Sequence, residues 1–221
     1  MESKRRATGE RELRCHRACA GSDALNPACT RKLIYIPIVH TLADLGALGS
    51  SLQRMKALKI GRERAKQSAE VVEKIWDEIE RRVDTPPSEA GLVRLYQDGL
   101  PACGHESQIV SDLAQAGSRN HKLLLRLQSK GAVLMGTESP ELLVEEYQLA
   151  TEAVYSHAVT ASKQQKRLSA ALLDKRDRYI AARIDSTLQA GETGMLFIGM
   201  LHAVESYLPE DIEIIKPLQA L

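Results

Sequence analysis

The stretch GMLFIGMLH, Gly194–His202, decides how the rest of the chain is read. Met195 to Ile198 is a continuous apolar run, entered through Gly194 and left through Gly199. An apolar run this short, bounded by glycines, reads as a strand buried on both faces, the kind found in parallel sheets. It ends three residues before an imidazole, His202. An earlier stretch, KLIYIPIVH, Lys32–His40, has the same form and stops at His40.

Working outward, five runs are strand candidates: Leu33–Val39, Leu92–Tyr96, Ala132–Met135, Met195–Ile198 and Ile212–Ile215. Helical patterns separate them. Val72, Ile75, Trp76, Ile79 and Val83 recur at the spacing of one buried helical face. Ile109, Val110 and Leu113 begin a second helix, and Leu123–Leu127 a third. Strands alternating with helical crossovers predict an α/β fold with a mainly parallel sheet covered by helices.

Ser139-Pro140 is a helix start, and Gly191 follows a helix end near Leu188. Between these signals lie about fifty residues without Gly or Pro, which as one straight helix would span roughly 75 Å. A compact chain of this length is only about 45 Å across. A hairpin bend or exposed helical arm is therefore expected at Ser156–Arg167, where large apolar side chains are few. Such an arm would suit a homodimer contact.

Bulk composition narrows the function classes. The 221 residues are 43% hydrophobic and 27% charged, ordinary for a globular protein. A net charge of +1 and 4% aromatic residues argue against a nucleic-acid partner. No apolar run approaches the roughly 20 residues that span a bilayer, so no membrane partner is expected. The N-terminus lacks the apolar core of a secretion signal, and a cytoplasmic location is expected. Residues 1–30 lack a periodic apolar face and read as a disordered extension, leaving 31–221 as a single α/β domain. Cys15, His16, Cys19 and Cys29 fall in that extension, but the adjacent Cys15 and His16 match no usual zinc-ligand spacing. Cys103 has no neighbouring base to activate it.

The chemistry-bearing residues gather where strands end. His40 follows the first strand, Asp98 the second, Glu138 the third and His202 the fourth. In a parallel sheet all carboxyl ends share one edge, where α/β folds bind ligands. Two imidazoles with a carboxylate suit a divalent metal, and His40, His202 and Glu138 form the candidate ligand set. Without a metal, the same groups suit acid–base chemistry on water, with a cation stabilising an oxyanion. Capping a turn or a helix start is the plain structural role open to Asp98 and Glu138. Asn120 and His121, in GSRNH, either open a helix or stand beside the site.

FIGMLH carries a Gly-x-x-His, and IPIVH is a variant with Pro37 in the glycine position. Between them, KRDRYIAARIDSTL resembles the arginine helix that precedes the last Gly-x-x-His strand in the TraB/TIKI-like superfamily, which includes erythromycin-esterase-like and ChaN-like proteins. The likeness spans Lys32 to Ile215 as scattered short motifs, and the fuller stretches resemble an uncharacterised bacterial family near that group. The resemblance implies an α/β fold and a site of two histidines, acidic residues and an arginine. It implies catalytic roles for His40 and His202 as the paired histidines, Asp98 or Glu138 as the acid, and Arg176 as the helix arginine that holds an anionic group. The expected function is a metal-assisted hydrolase acting on a small-molecule or peptide substrate. The alternative is a non-enzymatic protein binding a small anion, a metal or haem in the same cleft.

Overall fold

The computed structural model of the chain describes residues 30–41, 44, 61–83, 91–155 and 163–218. Their elements follow in the order β1 (Arg31–Ile38), α1 (Arg62–Val83), β2 (Val93–Gln97), α2 (Glu106–Gln115), α3 (Arg119–Ser129) and β3 (Val133–Met135). Then come α4 (Pro140–Tyr155), α5 (Lys163–Thr187), β4 (Thr193–Gly199), a 3-10 turn (Val204–Tyr207) and β5 (Ile212–Ile215). The five strands form one sheet in the order β3-β2-β4-β1-β5, parallel at every pairing. The fold is α/β, as the alternation of runs predicts.

Side chains alternate across the strands and build two cores. Ile36, Ile38, Val93, Leu95, Met195 and Phe197 face α1, α2 and α3, where Trp76, Val110 and Leu123 meet them. Leu33, Tyr35, Tyr96, Leu196 and Ile198 face the other way, onto Ile180, Ala181 and Ile184 of α5. Because β4 is buried over its whole length, its sequence shows no polar alternation.

The chain folds back between α4 and α5, as the length argument requires. Glu146 of α4 bonds Arg176 of α5, and Glu145 lies 3.9 Å from Lys175. The bend expected at Ser156–Arg167 falls partly outside the described residues; from Lys163 onward that segment is helical.

Two features of the sheet position the site. The helix that follows β1, α1, packs on one face, and the turn that follows the adjacent β4 packs with α5 on the other, so the two connections diverge at neighbouring carboxyl ends, the place where α/β folds bind ligands. Pro37 is tolerated because β5 pairs with β1 only as far as Ile34, so the rest of β1 has β4 on one side alone. A residue without an N–H fits such a one-sided stretch.

Candidate active site

Neighbouring β1 and β4 deliver His40 and His202 to one mouth of the sheet. The two stems are one residue out of step: Gly199 pairs with Ile38, and Pro37 pairs with Ile198. On the other side of β4, β2 delivers Asp98. Its N–H donates to Phe197 O at 2.9 Å and carries the ladder one residue further.

Asp98 is the hub of the cluster. Its Oδ2 accepts from Gly199 N–H at 2.9 Å and meets His40 Nε2 at 3.0 Å. His202 Nε2 lies 3.5 Å from the same oxygen. Its Oδ1 accepts from Arg176 Nη2 at 2.8 Å. Burial opposes ionisation here, but hydrogen bonds from His202 and His40 outweigh it and hold the carboxyl well below its usual range.

The two imidazoles are held differently. His202 is 5% exposed, and its Nδ1 sits 2.5 Å from Asp177 Oδ1. Asp177 Oδ2 accepts from Ala203 N–H at 2.8 Å, which fixes the carboxylate. With Nδ1–H given to Asp177, Nε2 is the nitrogen turned toward Asp98. His40 is 35% exposed, and its Nδ1 has no partner among the described residues. Burial favours the neutral form of both rings, yet the hydrogen bond and charge of Asp98 prevail and raise both above the ordinary imidazole value.

Behind Asp98 stands a buried ion cluster. Arg176 donates through Nε to Glu138 Oε2 at 2.7 Å and through Nη2 to Glu138 Oε1 at 2.6 Å. Its Nη1 donates to Glu146 Oε1 at 2.5 Å. With the bond to Asp98, four of the roughly five guanidinium N–H groups are spent on carboxylates. Glu138 is fully buried, and its Oε1 also accepts from Gly99 N–H at 2.8 Å. Burial pushes the Glu138 carboxyl up, Arg176 pulls it down, and the nearby Asp98 charge adds to the upward push.

The five residues singled out from the sequence thus come together around one centre. Their places differ from the expected ones. Asp98, not Glu138, lies between the histidines, and both Glu138 oxygens are taken by Arg176 and Gly99. Arg176 braces the acids and has little left for an anionic ligand. Asp177 went unrecognised as a functional residue, although a signal was present. On α5, Leu172, Arg176, Ile180 and Ile184 share one stripe, and Asp177 and Ala181 lie beside it, so both charges sit in an apolar face. Elsewhere, His121 is buried against Ser118, Cys103 is exposed, and Cys15, His16, Cys19 and Cys29 lie outside the described residues.

No family model, curated protein or solved structure matches the chain. No helix among the described residues is long and apolar enough to cross a membrane.

A divalent metal can be tested against this donor set. Among the described residues, no three or more His, Cys, Asp or Glu side chains form a ready-made metal group. The separations of 3.0 and 3.5 Å are hydrogen-bond and ion-pair distances. Only the shorter one matches neighbouring ligands around one ion, since two atoms each about 2.1 Å from zinc at 90–110° lie about 3.0–3.4 Å apart. His202 has the support typical of a metal-bound imidazole, its other nitrogen fixed by a carboxylate. Charge agrees as well: among the described residues the one buried guanidinium, Arg176, is outnumbered by the buried carboxylates Asp98, Glu138 and Asp177. The imbalance is met by two protons on the histidines or by one divalent ion. The residues suit a divalent ion in donor type and charge, without forming a ready-made cage for one.

Proposed function

We propose that the chain is a metal-assisted hydrolase in which His40, Asp98 and His202 hold a divalent cation at the carboxyl ends of β1 and β4. The bond attacked is an ester, an amide or a relative of these. The observation that carries this reading is the convergence of two imidazoles from separate strands on a single oxygen of Asp98, at 3.0 and 3.5 Å. The resemblance to TraB/TIKI-like proteins points the same way.

When bound, the ion supplies Lewis acidity and brings the pKa of water toward neutrality. The chain's own groups do the rest. Before the ion binds, Asp98 stays ionised because the imidazoles and Gly199 N–H satisfy it. Asp177 keeps the proton on His202 Nδ1, leaving Nε2 directed inward. Arg176 locks Asp98 against Glu138 and prevents the carboxylate from turning away. His40, the more exposed ring, is the one through which the site meets solvent.

Elemental analysis of the purified protein and titration with zinc and manganese test the reading. One ion per chain is expected. His202→Ala should abolish its binding, along with hydrolysis of a panel of simple esters and amides. Retained stoichiometric metal in that variant would refute the site. Metal uptake without turnover of any ester or amide would favour the binding-protein alternative.

A further inference from the structure

The two histidines are not anchored alike, and the difference points to a second set of residues. Asp177 grips the His202 ring directly. Among the described residues the His40 ring hydrogen-bonds only Asp98, so its aim depends on the backbone that carries it. That backbone is held on both sides. Before it, Trp76 Nε1–H of α1 donates to Val39 O at 3.0 Å. After it, Thr41 donates to Asp44 Oδ2 through N–H at 2.6 Å and through its hydroxyl at 2.8 Å, while Asp44 N–H returns to Thr41 O at 3.1 Å.

Asp44 is itself tied to the start of α3. Its Oδ1 accepts from the Ser118 hydroxyl and lies 3.5 Å from His121 Nδ1. Ser118 is the N-cap of that helix, accepting from His121 N–H at 3.2 Å, and its hydroxyl oxygen lies 2.7 Å from His121 Nδ1. The Asp44 side chain is 3% exposed. A buried carboxylate at a helix N-terminus, with four polar contacts, is a rigid post.

We propose that Asp44, clamped by Ser118 and His121, is the positioning residue for His40, doing through the Thr41 backbone what Asp177 does directly for His202. The inference rests on the reading of the His40–Asp98–His202 cluster as the working site. It assigns a role to the start of α3, which lies on the opposite side of the sheet from Arg176.

Ring order measured by NMR relaxation of labelled histidines, together with zinc titration, tests this without reference to turnover. In Asp44→Ala and Ser118→Ala the His40 ring should lose order while the His202 ring keeps it. Zinc affinity should fall about tenfold or more, the range seen when outer-shell support is removed. Ser118→Thr retains the hydroxyl and should restore both readouts. Thr41→Val, which removes a single hydroxyl, gives a smaller change of the same kind should the alanine variants not fold. The proposal is overturned if His40 stays as ordered as in the wild type. It is equally overturned if both rings loosen together, because the clamp then supports only the fold. Selective loosening of His40 in a protein with no hydrolytic activity would keep this inference and remove the hydrolase reading.

Discussion

Gly199 shows how one residue serves both the fold and the cluster. It closes β4, its N–H is spent on Asp98 Oδ2, and a Cβ built there would lie 2.8 Å from that same oxygen. The Cβ would also be 3.4 Å from His40 Nε2. Glycine is therefore required by close approach, not by an unusual φ. Gly199→Ala should push the carboxylate off the imidazoles and weaken zinc binding about tenfold or more, with the chain still folded. Gly194→Ala is the matching control. Its Cβ would meet Leu33 Cδ1 at 2.7 Å and Tyr96 at 3.2 Å, within the core. That change should cost about 1–3 kcal/mol of stability and leave zinc affinity unaltered. Isothermal titration and urea denaturation of the two variants separate the effects; equal loss of metal in both would show that Gly199 is only a packing residue.

At the scale of elements, α5 supplies the brace and α4 the lid over it. Arg176 is buried and bonded to Asp98 and Glu138, while Glu146 reaches it from α4 with half its side chain in solvent. Removing the guanidinium strands two buried carboxylates, so Arg176→Met should cost about 3–5 kcal/mol. Glu146→Ala should cost less than about 1 kcal/mol, because water replaces an exposed partner. Comparable losses in urea denaturation would mean that the α4–α5 contact, not the buried cluster, carries the stability. These elements also mark what the sequence could reveal. Apolar runs announced the strands, three of the five entered through a glycine, and every one of them leads to a residue of chemical interest or lies near the terminus. Strand order was not legible, because it depends on which runs pair across long connections. The partition of Asp98 and Glu138 was hidden for a related reason. Both follow strand ends, and only the insertion of Arg176 from α5 decides which faces the histidines. Asp44 gave no signal, since the residues that clamp it, Ser118 and His121, stand at the start of α3, 74 residues away in the case of Ser118.

For the whole molecule, the buried cluster makes stability, protons and metal a single linked system. His40 and His202 both titrate above the ordinary imidazole value in the folded chain, chiefly because Asp98 outweighs the effect of burial. A raised folded pKa means that the protonated rings stabilise the metal-free fold fully below about pH 6.5, the unfolded value. That contribution is lost as pH rises through the folded values, which lie above it. A divalent ion needs the same nitrogens without their protons, so its affinity grows over the same window. The two dependences have opposite signs. Without metal, the melting temperature should fall between about pH 6 and pH 8 as far as these rings govern it. With zinc, the increment should be small at the lower pH and larger at the higher one, approaching about 2.7 kcal/mol when free zinc is a hundred times its Kd. Thermal melts with and without zinc at both pH values read this directly, and His202→Ala should erase the pH-dependent increment. An increment independent of pH would place zinc on groups other than these histidines, and the charge balance around Asp98 would then belong to protons alone.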